Sequence, residues 1–265
     1  MHGRRILSAL VLIAVVLLVI AYGGEAGFAL LGMGVAAIGL WEFTRLLSPL
    51  QSLPRVLALA AAAVLVGATY MGGVEWFAIG VVLVLLLELS WVVRSGDEIE
   101  VNLRQTMLCV MGLLYVAGPV SLAVALRAVP GGERYLLLAC GIVWIGDTGA
   151  FYIGSSLGRH PLAPQVSPQK SVEGSVGGLI GSMAAAWVLA RALGIPLTFF
   201  SSLLVGAVIG GAGQMGDLIE SAMKRAFQVK DTGHLIPGHG GVLDRIDSLL
   251  FAIPVLYLWI RTGWI

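Results

Sequence analysis

Asp217, Ser221 and Lys224 are spaced i, i+4 and i+7, so on a helix they share one face, with Glu220 beside them. That stripe sets a ligand for a hard cation next to a ligand for a phosphate. Asp244 and Asp247, at i and i+3, aim two more carboxylates from the start of a later helix, with Arg245 between them. Hard cations such as Mg²⁺ take carboxylate oxygens and share their shell with substrate phosphates. Asp217, Asp244 and Asp247, converging from two helices, would hold one or two such ions.

Between these helices runs Ile236-Pro-Gly238-His239-Gly240-Gly241. Its glycines let backbone N–H groups point inward as an anion nest at a helix N-terminus. The same residues also make an ordinary tight turn. Lys224, Arg225, Lys230 and Arg245 around them favour the phosphate cradle, since cations and N–H donors together bind phosphate oxygens strongly. His234 and His239 are either general bases or, as is commoner for a lone loop His, hydrogen-bonding and phosphate-contacting residues.

A second polar patch begins with Asp147 and Thr148 inside an apolar run and continues through Arg159 to Gly174, with Ser167-Pro-Gln169-Lys170-Ser171-Val-Glu173. A carboxylate deep in a membrane span is costly unless it works or pairs. Lys170 and Ser171 are candidates for phosphate with Glu173 orienting them; the alternative is a solvated loop with a Glu at a helix start.

The elements that must position these groups are membrane helices. Hydrophobic residues make up 58% of the 265 positions and charged ones 12%, against roughly 25% charged in soluble domains. Crossing a bilayer takes roughly 20 helical residues, and nine apolar spans read as about 5–22, 26–41, 54–72, 74–93, 106–127, 134–156, 174–193, 196–214 and 246–262. The eighth keeps helical spacing to about Ala226. The expected fold is therefore all-α, a polytopic membrane protein with about nine transmembrane helices. With nine spans, 12 of the 16 Lys and Arg fall on one side, which puts the N-terminus in the cytosol. Residues 1–130 read as an N-terminal transmembrane scaffold, and 131–265 as the catalytic transmembrane region with cytosolic loops 157–173 and 227–243.

Much of the rest is structural. Trp41, Trp76, Trp91, Trp259 and Trp264 lie at span ends as interfacial anchors, while Trp144 and Trp187 read as packing residues. Cys109 and Cys140 read as small core hydrophobes. Glu88, inside a span, reads as a paired or neutralised structural carboxylate ahead of a proton relay. The first span exceeds the length of a signal-peptide core and is expected to stay. No zinc spacing, P-loop or nucleophile elbow occurs, which argues against a zinc hydrolase, a P-loop ATPase and a serine hydrolase.

The stretch Ser221 to Asp247 closely resembles the signature of phosphatidate cytidylyltransferases. It has Ser221, Lys224-Arg225, Lys230-Asp231, Gly233, Pro237-Gly238-His239-Gly240-Gly241, and Asp244-Arg245 with Asp247. Gly216-Asp217-Leu218-x-Glu220, Asp147-Thr148-x-Ala150 and Ser167-Pro168-x-Lys170-Ser171-x-Glu173-Gly174 are similar to that family as well, so the motifs cover roughly 144–247. One departure is Gln169, where the pattern often has a second Lys.

The resemblance implies transfer of a cytidylyl group from CTP to phosphatidic acid with Mg²⁺, and possible homodimers in the inner cell membrane. It implies metal binding by Asp217, Asp244 and Asp247, and catalytic roles for Asp217, Lys224, Arg225, Asp244, Arg245 and Asp147. Substrate contacts then fall to Lys170, Ser171, Glu173, Ser221, Lys230, Gly238, His239, Gly240 and Gly241. No nucleic-acid partner is expected. Two alternatives stand beside it: a CTP-dependent polyprenol kinase, and an ion-coupled transporter that would account for the intramembrane carboxylates but not for the clustered basic and glycine residues.

Overall fold

The computed structural model describes residues 2–47, 52–94, 99–233, 235 and 240–263. Each apolar stretch of the sequence falls on helix, with ends shifted by a few residues. The helices are α1 (His2–Tyr22), α2 (Gly24–Leu47), α3 (Ser52–Gly72), α4 (Val74–Arg94), α5 (Ile99–Gly112), α6 (Gly118–Arg127), α7 (Gly132–Leu157), α8 (Val172–Ala192), α9 (Phe199–Ala226) and α10 (Leu243–Arg261). Among the described residues six segments are long and apolar enough to cross a membrane. The chain is an all-α, multi-pass membrane protein.

One departure from pure helix lies in the second polar patch. Residues Pro161–Ala163 (β1) and Ser167–Ser171 (β2) pair antiparallel as a short hairpin. A run of three residues and another of five, each containing a Pro, carries too little alternation to read as strands.

By its contacts the chain divides into two units: Met1–Val129 with Asp231–Asp244, and Pro130–Lys230 with Arg245–Ile265. In the first, Leu40, Phe43, Leu113, Val116 and Leu126 are fully buried, and the Phe43 and Tyr115 rings sit 5.5 Å apart. Between α5 and α6 the chain makes one π-helical turn, Leu113–Ala117, closed by Gly118 N–H on the Leu113 carbonyl. Pro119 follows at the start of α6; lacking an N–H, it cannot continue the α-helical ladder, and the wider turn absorbs the defect. Glu88 of α4 lies beside Thr106 and Cys109 of α5, with its Oε2 buried and without a hydrogen-bond partner among the described residues. Leu83, Leu86 and Leu87 of α4 face outward, as lipid-facing residues should.

In the second unit Leu136, Leu138, Ile142, Ile209 and Leu256 are buried. Helices α7 and α8 approach so closely that a Cβ on Gly149 would stand 3.0 Å from the Gly177 carbonyl oxygen. Small residues permit such contact between membrane helices. Likewise a Cβ on Gly216 would lie 2.5 Å from the Asp247 carbonyl oxygen, so α9 and α10 touch where each carries an acidic residue of interest. Trp187 packs edge-on against Phe199, ring centroids 5.8 Å apart.

Candidate active site

The 28 residues of α9 form one unbroken helix through the polar stripe, with Thr198 capping its start by accepting from Ser201 N–H. Asp217, Glu220, Ser221, Lys224 and Arg225 therefore project from its last turns, as their spacing predicts. Lys170, on β2, places Nζ 2.7 Å from Asp217 Oδ2. The Ser221 hydroxyl donates to Asp217 Oδ1 at 3.4 Å. One turn on, Lys224 Nζ stands 3.5 Å from Oε2 of Glu220, whose side chain is completely buried. Asp147 of α7 and Asp247 of α10 lie close enough to Asp217 to repel it, with Lys170 offsetting part of that charge at Asp147.

The hairpin brings Lys170 to this cluster, and its own residues hold it there. Ser171 caps α8 by accepting from Gly174 N–H at 3.1 Å. Glu173 reaches back to the hairpin entry: Oε2 accepts from Arg159 and His160 N–H at 3.1 and 3.2 Å, and Oε1 meets His160 Nδ1 at 2.5 Å. Arg225 Nε donates to the Val166 carbonyl at the hairpin turn, 3.3 Å. Ser175 donates to the side-chain oxygen of Gln214, whose amide returns a bond to Ser175 O at 3.0 Å, fixing α8 to α9.

Asp244 belongs to the first unit. Its Oδ2 accepts from Gly241 N–H at 2.8 Å and from the N–H and hydroxyl of Thr232 at 3.0 Å each. The next two N–H groups, of Val242 and Leu243, donate to Oε1 and Oε2 of Glu42 at 3.0 and 2.8 Å. Glu42 comes from α2 and is completely buried. The anions held at the start of α10 are thus the chain's own carboxylates.

The sequence pattern of the cytidylyltransferase family matches residues 3–262. A phosphatidate cytidylyltransferase of Bacillus subtilis (strain 168) is 33% identical over 261 residues, 96% of each chain. One of Staphylococcus haemolyticus (strain JCSC1435) is 34% identical over 256 residues, 95% of this chain and 96% of its own. The chain belongs to the cytidylyltransferase family.

Within that family setting, several expectations change. Ser171 and Glu173 hold the hairpin and the start of α8, so Glu173 orients His160 and the Arg159 backbone instead of Lys170. Arg225 ties down the hairpin turn. The N–H of Gly241 is spent on Asp244, so it is not part of an open phosphate nest; Gly240 keeps the left-handed φ of +80° that the turn needs. Gly238, His234 and His239 lie outside the described residues. Asp147 is exposed, with the Lys170 ammonium offsetting part of the negative charge around it. Arg245 and Lys230 are exposed.

The donor chemistry suits a hard cation, since Asp217, Asp247 and Asp147 gather negative charge in one unit. Among the described residues no three Asp, Glu, His or Cys side chains form a ready-made metal group. A cation there would draw on few protein carboxylates and complete its shell with phosphate oxygens and water, the usual habit of Mg²⁺. Glu42 escaped the sequence reading: an acidic residue at the end of an apolar run looks like an interfacial one.

Proposed function

We propose that this protein transfers the cytidylyl group of CTP to phosphatidic acid, forming CDP-diacylglycerol and pyrophosphate for phospholipid biosynthesis. The end-to-end likeness to relatives named phosphatidate cytidylyltransferase carries this reading, and those names do not favour the polyprenol kinase or transporter alternatives. A phosphate oxygen of phosphatidate attacks the α-phosphorus of CTP. The bond from that phosphorus to the α,β-bridging oxygen breaks, and pyrophosphate leaves. The acceptor is already a nucleophile, so the protein supplies positioning and charge.

Lys170 and Lys224, each facing a carboxylate, are the groups assigned to substrate phosphates, with Lys230 and Arg245 as further cations. Asp217 and Asp247 are the carboxylates assigned to Mg²⁺, and Asp244, oriented by Thr232 and Gly241, keeps its assignment as a working carboxylate of the transfer. When bound, that ion would neutralise phosphate charge and stabilise the leaving pyrophosphate. Ser221 holds Asp217 in orientation. Arg225 and Glu173 act by keeping the hairpin, and with it Lys170, against α9.

The distribution of basic residues supports about nine spans with the N-terminus, and the loops 157–173 and 227–243, in the cytosol. On that reading the site sits where a soluble nucleotide meets a lipid headgroup. Chemistry is centred in residues 131–265, on a scaffold of residues 1–130 that also supplies Glu42. A homodimer belongs to the same reading, measurable by light scattering in detergent. Phosphatidate-dependent release of pyrophosphate from CTP by the purified protein tests the activity; release that ignores phosphatidate would overturn it.

A further inference from the structure

Glu42 has no part in the motifs of the second half of the chain, yet it is completely buried among apolar neighbours such as Leu40 and Phe43. A buried carboxylate is costly unless its charge is matched by hydrogen bonds. Here both oxygens are used: Oε1 by Val242 N–H at 3.0 Å and Oε2 by Leu243 N–H at 2.8 Å. These are among the N–H groups that a helix start leaves without partners, at the positive end of the α10 dipole. Capping is usually done by a local Ser, Thr, Asp or Asn. In this chain it comes from 200 and 201 residues away in sequence.

Gly233 and Gly241 leave room for this carboxylate. A Cβ on Gly233 would stand 2.5 Å from Glu42 Oε1, and one on Gly241 would stand 2.6 Å from Glu42 Cδ, so both positions need glycine for Glu42 to enter. The Thr232 hydroxyl lies 3.5 Å from Glu42 Oε2 and 3.0 Å from Asp244 Oδ2, bridging the two acids. Gly241 N–H, adjacent in the chain to the groups that Glu42 holds, donates to that same Asp244 oxygen.

We infer that Glu42 is a positioning residue for the reaction: by capping α10 through Val242 and Leu243, it fixes the adjoining Gly241 N–H that, with Thr232, orients the Asp244 carboxylate. This rests on Asp244 working in the cytidylyl transfer. Groups that orient a working carboxylate typically change activity by about 10- to 100-fold when altered.

The test measures turnover and melting temperature in detergent for Glu42→Gln, Thr232→Val and Asp244→Asn, with full-length protein, CTP and phosphatidate vesicles. Gln keeps the size of Glu42 but presents an amide to one of the two N–H donors. Glu42→Gln is expected to lose roughly tenfold or more in kcat, with KM for CTP and phosphatidate little changed. Thr232→Val leaves both caps in place and should lose kcat severalfold at a melting temperature close to wild type, which a purely structural role would not produce. If Glu42→Gln fails to accumulate folded, Thr232→Val decides alone. Wild-type kcat in Thr232→Val, or in folded Glu42→Gln, alongside an inactive Asp244→Asn overturns the inference and leaves the cytidylyltransferase reading standing. Wild-type turnover in Asp244→Asn overturns the premise itself.

Discussion

Lys170 Nζ lies 2.7 Å from Asp217 Oδ2, joining a residue of the 159–174 patch to the acidic stripe of α9. A candidate phosphate ligand and a candidate metal ligand hold each other until substrate arrives. In the proposed reaction, phosphate would compete for the ammonium and a cation for the carboxylate, so both would be drawn into the site without a large charge being left uncompensated beforehand.

Lys170→Ala should lower turnover with both substrates by about 10- to 100-fold, the scale of a lost charge-assisted contact of about 1.5–3 kcal/mol. The pair is partly solvent-accessible, so the fold should lose about 1 kcal/mol or less. Steady-state kinetics with a detergent melting curve check this. A large drop in melting temperature with turnover intact in the folded fraction would make the pair a structural tie.

Lys224 faces a different situation, because its partner Glu220 is completely buried. Removing Lys224 takes the cation from a buried carboxylate, a change that costs up to about 3–5 kcal/mol in a buried pair. Lys224→Ala should therefore lower the melting temperature as well as activity, whereas Glu220→Gln combined with Lys224→Ala should recover stability but not turnover. Recovery of both would assign Lys224 to the fold alone.

If Asp217 holds Mg²⁺, chelation should stop turnover and added Mg²⁺ restore it. Asp217→Asn should raise the Mg²⁺ concentration needed for half-maximal rate. Titrations of rate against Mg²⁺ read this directly. An Asp217→Asn variant with unchanged rate and unchanged Mg²⁺ dependence contradicts the assignment.

Much of this architecture is legible in the sequence, because apolar runs about as long as a bilayer is thick have few other uses. The misreadings have local causes. Helix α2 runs to Leu47, past the expected end near residue 41, because Glu42 interrupts the apolar run although α10 supplies it with donors inside the fold. The hairpin strands are too short for their alternation to stand out. The spacing of Asp217, Ser221 and Lys224 predicted their shared face on α9 correctly, since helical geometry is local. Lys170 beside Asp217 and Glu42 beneath Asp244 are pairings between distant segments, and spacing carries no information about them.

Topology can be read with single cysteines at Gln165 and Val229, both exposed, in a background lacking Cys109 and Cys140. Both positions should resist impermeant thiol reagents in intact cells and react after permeabilisation. Labelling of intact cells would place these loops on the outer side.

The most direct measurement is the fate of labelled CTP incubated with the purified protein, phosphatidate and Mg²⁺. Label in the α-phosphate should enter the chloroform-soluble lipid, and label in the γ-phosphate should leave with pyrophosphate. Transfer of the γ-label to lipid, or of neither label, would contradict cytidylyl transfer.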